Sequence, residues 1–249
     1  MSKNITVYAT DLTTVVDNLN NPISELDIAN NLSITYDDGS GELSGALRIL
    51  ITLTAISLAP ILLILLTSFT RIVIVLHFTR AAIGTTSVPP NQVLLGLSLF
   101  LTFYIMSPIF TEINENAIQP FEAGAITQEV AIERGMQPLR EFMYTQTQSS
   151  DVRLFLDISN LEWDGTLDGI PTSVLIPGFL LSELRTAFII GFLLYIPFIV
   201  IDMVVASTLM SMGMMMLPPT TISMPFKILL FVLADGWTLV ISSLVKTFY

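Results

Sequence analysis

The sequence contains no cysteine and a single histidine, His77. Without thiols there is no disulfide framework, no thiolate nucleophile and no thiolate metal site. One imidazole cannot build a histidine-rich metal centre or a proton relay of histidines. Cations are also scarce: ten Lys and Arg stand against 21 Asp and Glu, a net charge of −11. A chain this acidic is poorly suited to neutralising phosphates, so nucleic acid is excluded as a partner. Residues 1–19 lack a sustained apolar core, and Lys3 is the only basic lead-in, so they do not read as a secretory signal.

Apolar residues make up 52% of the chain, too many for an ordinary soluble domain, and point to a membrane-type protein. Four apolar runs stand out: 49–69, 93–110, 186–210 and 226–245. Each is long enough to be a membrane-type helix. Pro60, Pro108 and Pro197 fall inside the first three, and a proline inside a helix removes a hydrogen bond and favours a bend. The linkers "GTTSVPPNQ" (84–92) and "MGMMMLPPTT" (212–221) both carry Pro-Pro. The chain therefore reads as two Pro-bent helical hairpins, a weak internal repeat. The fold class expected is all-α. The expected parts are an acidic tail at 1–44, a first hairpin at 45–111, a helical insert at 112–172 and a second hairpin at 173–249.

Charge is unevenly spread. Residues 1–47 hold seven acids against Lys3, and 112–168 hold eleven acids against Arg134, Arg140 and Arg153. Arg71 and Arg80 flank the first hairpin tip, and Lys227 follows the second. The positive-inside rule then places both tips towards the cytoplasm, with tail and insert outside. Within the insert, 126–147 reads as one or two amphipathic helices interrupted at Gly135–Pro138, and 151–159 as a helical turn or a strand.

Several constellations have a bland and a sharp reading. Asp202 and Asp235 could form an intramembrane acid pair, but "VIDMV" and "LADGW" match neither motif of intramembrane aspartyl proteases. "GSGE" (39–42) and "GTTS" (84–87) lack the lysine and spacing of a phosphate loop and read as turns. His77 reads as a packed or interfacial side chain. Glu183, Asp202, Lys227 and Asp235 are charges in apolar surroundings, which are costly and usually functional. Pairing between subunits is the favoured reading, ahead of an ion pathway. Lys227 and Asp235 fall roughly on one helix face.

The stretch 211–221, "SMGMMMLPPTT", is the strongest lead. Seven of the eleven methionines lie between Met203 and Met224. Methionine commonly fills gaps within cores, yet these sit in a loop before Pro-Pro. Met212, Met214, Met215 and Met216, repeated around an axis, would make a soft hydrophobic constriction that dewets yet yields to a polymer. Gly213, Pro218 and Pro219 would act as its hinge.

"SFTRIVIVLHFTRAAIGTTSVPPNQVLLGLSLFLTFYIMSP" (68–108) and "MGMMMLPPTTISMPFKILLFVLADGW" (212–237) resemble two signatures of the FliP family of flagellar protein-export gate subunits. The resemblance runs from about residue 45 to Tyr249. It extends to a virulence type III secretion paralogue, the SctR group; a secondary transporter or ion channel is the other alternative. The resemblance implies a non-enzymatic homopentamer that assembles with FliQ and FliR into a helical export gate. That gate would work with FlhB and FlhA in the basal body at the bacterial inner membrane and pass unfolded flagellar proteins, with no cofactor. It implies that Met214, Met215 and Met216 match a methionine gasket, and that Glu183 matches an acid contacting a lysine of the FliR-like partner. Family members commonly begin with a cleavable signal peptide, from which the acidic residues 1–47 depart.

Overall fold

The computed structural model describes residues 42–249 other than 86, 164, 168 and 215. The acidic tail expected at 1–44 therefore lies almost wholly outside the described residues, as does Met215. The chain divides into two compact units, Met1–Leu53 and Thr54–Tyr249. Of the first, the described part is helical and exposes Leu47, Ile49, Leu50, Ile51 and Leu53.

The described residues are mostly helical, with no strand among them. In chain order they form α1 (Glu42–Leu65), α2 (Phe69–Ile83) and α3 (Asn91–Ile113). A π-helical turn, Asn114–Ile118, carries α3 into the short α4 (Gln119–Glu122). The insert supplies α5 (Gln128–Gln146) and α6 (Ser149–Ile158). Then come α7 (Thr172–Ser211), α8 (Pro219–Leu233) and α9 (Gly236–Lys246). The segment α3 to α4, Asn91–Glu122, and α7 are each long and apolar enough to cross a membrane, and α8 with α9 could form one broken span.

No proline interrupts its helix: Pro60, Pro108 and Pro197 all lie inside α1, α3 and α7. The breaks fall elsewhere, for local reasons. The run 49–69 ends at Leu65, and a separate helix, α2, begins at Phe69. There the Thr67 hydroxyl accepts a bond from the Phe69 N–H (3.5 Å), a side-chain competitor for the helical ladder. The first hairpin is therefore α2–α3, not the run 49–69 against α3.

The run 226–245 is likewise two helices, bent by 64°. Asp235 takes the left-handed conformation at φ 49°, which Asp tolerates better than most residues. A Cβ on Gly236 would lie 2.3 Å from the Phe231 ring, so only glycine fits that corner. The bend removes the common helix face expected for Lys227 and Asp235. In the insert, α5 runs uninterrupted through Gly135 and Pro138, and the stretch 151–159 is helical as far as Ile158. At Gly135 α5 packs on the π-helical turn, and a Cβ there would lie at ordinary contact distance, 3.5 Å, from that of Ala117.

The long helix α7 is the spine, packing on α2 most extensively and also on α5, α6 and α8. One core gathers Ile72, Val75 and Leu76 of α2 with Ala187, Phe198, Phe231 and Leu244. A second gathers Met143, Val152, Leu156, Leu175 and Phe179 beneath the insert. Phe142 packs against both, and its ring lies 5.9 Å from Phe179 and 6.4 Å from Phe248.

The α2–α7 contact depends on Gly191. A Cβ there would come within 2.5 Å of Phe78, whose ring edges Phe188 and Tyr195 at 5.3 and 6.3 Å. Gly191→Val should force this aromatic group apart and cost roughly 1–3 kcal/mol. Thermal unfolding of the detergent-solubilised variant checks this; an unchanged melting temperature would mean that the helices have room to spare.

Candidate functional site

The methionine loop is closed off by backbone geometry. At the end of α7 the Met214 N–H donates to the Leu209 carbonyl (3.1 Å), and the Gly213 N–H to the Met210 carbonyl (3.0 Å). These are the two bonds of a Schellman motif, with Gly213 at φ 76° as its left-handed residue. Gly213 thus ends the helix. Pro219 then opens α8 at its first positions, where a missing N–H costs nothing. Between these stops the chain cannot continue either helix, so the methionines are left outside. Met212 and Met214 are exposed, and Met216 is 98% exposed. The tip between α2 and α3 is built alike, with Gly84 at φ 89° and Pro90 directly before α3.

Below the loop the two arms are clamped by charge. Lys227 Nζ of α8 lies 2.6 Å from Asp202 Oδ2 of α7. The Ser223 hydroxyl donates to the other carboxylate oxygen at 2.5 Å. Lys227 is 6% exposed, so its charge has little access to water. Both residues stand about nine positions from the loop, about 14 Å along a helix. Met224 Cγ and Lys227 Cδ lie 3.9 and 4.0 Å from where a Gly84 side chain would start, so the first hairpin tip rests against α8, below the methionine loop.

Glu183, fully buried on α7, is held by Arg71 of α2. Arg71 Nε donates to Glu183 Oε2 at 3.0 Å, and Nη2 to Oε1. The same guanidinium reaches Gln146 Oε1 of α5 (3.0 Å), and the Thr247 carbonyl (3.2 Å) and hydroxyl (3.0 Å). It also lies 4.0 Å over the Phe248 ring, a cation–π contact. Arg185 turns away from Glu183 and pairs with Asp151 of α6 at 2.5 Å. Asp151 in turn accepts from Ser182 at 2.7 Å.

The pairing expected between subunits is thus met within the chain for Glu183, Asp202 and Lys227. Asp235 is not brought to them: it sits in the α8–α9 bend and makes no ion pair among the described residues. Arg71 is the residue that sequence reasoning missed as a partner. Its signal was present, an arginine in the apolar "SFTRIVIVL", but its carboxylate lies 112 residues away. His77 donates from Nδ1 to the Val73 carbonyl at 2.8 Å, the contact of a packed helical histidine.

These features define an all-helical membrane protein whose apolar hairpins carry buried ion pairs and a methionine-tipped turn. Residues 52–244 match the FliP family. The chain is 53% identical over 205 residues to the flagellar biosynthetic protein FliP of Bacillus subtilis, covering 82% of this chain and 93% of that one. It is 52% identical to the FliP of Pectobacterium carotovorum, over 82% of this chain and 79% of that protein. It is 50% identical to the FliP of Aquifex aeolicus, over 84% of this chain and 89% of that one. The chain belongs to the FliP family.

Removing Glu183 would leave the Arg71 guanidinium buried without its counter-charge. Glu183→Ala should cost roughly 3–5 kcal/mol. Glu183→Gln should cost less, because its amide oxygen still accepts from the guanidinium. Melting temperatures of the purified variants test the order; an alanine variant as stable as wild type would show that the pair contributes nothing.

Proposed function

We propose that this chain is a structural subunit of a flagellar protein-export channel and that its methionine loop is the seal. The observation that carries this is the loop between the Schellman end of α7 and Pro219. It carries the exposed, flexible, polarizable side chains of Met212, Met214 and Met216, the last almost wholly exposed among the described residues. An exposed hydrophobic tip on a single chain makes sense once copies surround an axis, where the tips together exclude water and ions. The exposed faces of α3 and α7, with Phe100, Phe103, Phe188 and Phe192 outward, fit the same picture, since large apolar surfaces mark contact with lipid or protein.

The seal would be passive: methionine side chains fold aside for an unfolded polypeptide and fall back after it. The Asp202–Lys227 clamp holds the two arms, and Gly213 with Pro218 and Pro219 sets where they flex. The partners in this reading are further copies of the chain, a pentamer in the family's pattern, with FliQ and FliR. FlhB and FlhA would complete the apparatus at the bacterial inner membrane. Tail and insert would lie outside the cytoplasm and both tips towards it. The names of the relatives favour the flagellar system over its virulence paralogue.

The test is ion conductance across vesicles that carry the assembled complex. Changing residues 214–216 to alanine shortens three side chains per copy and should open a leak of small ions while assembly persists. An assembled triple variant as tight as wild type would show that the loop is not the seal.

A further inference from the structure

We propose that the flank of α2 from Val73 to Ala81 binds an anionic phospholipid, with Arg80 holding its phosphodiester. This rests on the chain lying in a membrane and is independent of the channel reading. An open groove of about 550 Å³ runs along this flank, lined by Val73, Ile74, His77, Phe78, Arg80 and Ala81. Its chemistry changes along its length. Arg80, near the end of α2, is its one fixed cation. Below it the wall is apolar, apart from His77, whose Nδ1–H is taken by the Val73 carbonyl. A cationic rim over an uncharged groove complements an anionic headgroup attached to an acyl chain.

Three observations place the phosphate at Arg80. First, Arg80 has no acidic partner: Nη1 donates to the Pro89 carbonyl (3.1 Å) and to Asn91 Oδ1 (2.5 Å), and no other bond of this side chain is found among the described residues. Nε and Nη2 remain as a fork, the geometry that grips two phosphate oxygens. Second, Asn91 is the first residue of α3, which begins a segment able to cross a membrane. Arg80, bonded to it, therefore sits at the apolar–polar boundary where headgroups lie, its stem along the groove. Third, residues 66–111 contain Arg71, His77 and Arg80 and no acid, in a chain of net charge −11. Arg71 is neutralised by Glu183, so Arg80 is left as the positive centre of this hairpin. Zwitterionic headgroups carry their own cation and would gain less there.

The experiment is native mass spectrometry of the full-length chain in detergent. It is titrated separately with phosphatidylglycerol and with phosphatidylcholine, and inorganic phosphate serves as competitor. Wild type should retain phosphatidylglycerol over phosphatidylcholine by roughly five- to tenfold, the value of one charged contact to an anionic lipid. Arg80→Gln should abolish the preference, and Arg80→Lys should keep part of it. Ile74→Trp, which fills the groove, should weaken retention of both lipids. A photoactivatable phosphatidylglycerol should label residues 73–81 of the wild-type chain, a readout that stands even if a variant fails to fold. Equal retention of the two lipids, an Arg80→Gln variant that keeps the preference, or labelling elsewhere would overturn the proposal. Displacement by millimolar inorganic phosphate would make this a free-anion site, and an Ala81→Cys chain that cross-links to its copy and excludes lipid would make it a contact between copies; either result also overturns it.

Discussion

A buried guanidinium on α2 dictates how much of this molecule must be assembled. Arg71 cannot be left without partners in an apolar interior, where an uncompensated charge costs several kcal/mol. Its demands are met from four places at once: Glu183 on α7, Gln146 at the end of the insert helix, the Thr247 carbonyl and hydroxyl, and the Phe248 ring. The first hairpin, the insert, the spine and the last residues of the chain are thereby fixed around one side chain. Apolar contacts alone would not specify this register, because the helices are apolar on most sides and could slide or rotate. A charge that can be satisfied in only one arrangement removes those alternatives.

A similar division of labour governs the second hairpin. The Asp202–Lys227 pair, with Ser223, fixes α7 against α8 a few turns below the loop, and the loop is left to present methionine. The rigid and yielding parts are separated along the chain. Ion pairs and helix stops hold the arms, and in the proposed channel the short apolar tip would carry the side chains that move. Among the described residues Met216 is almost wholly exposed, which is why the proposed reading of this loop requires an assembly.

Much of this was legible from residue order. Long apolar runs pointed to helices. Glycine and Pro-Pro at 213 and 218–219 marked the loop, and the methionine density marked its content. What was not legible depended on contacts. The break at Thr67–Ser68 is a hydroxyl competing locally with the helix ladder. The corner at Asp235–Gly236 was hidden in an apolar run, although "ADG" is a turn-forming sequence. Conversely, Gly135 and Pro138 read as helix breakers, yet α5 runs through both and packs on the π-helical turn. The partners of Glu183 and Asp202 are the clearest case. Helical spacing finds neighbours three or four residues away, whereas Arg71 lies 112 residues from Glu183 and Lys227 25 from Asp202. Such acids look unpaired until the fold is known.

The central claim is that the methionine tips of several copies meet on a common axis. The chain has no cysteine, so a thiol introduced by Met216→Cys is a clean reporter in the assembled complex. The account predicts that mild oxidation of the Met216→Cys complex in membranes joins neighbouring copies through this residue, and that a bulky thiol reagent attached there instead blocks export. A fully assembled complex in which the introduced thiol neither cross-links to its copies nor affects export when modified would place the loop away from the axis and contradict the account.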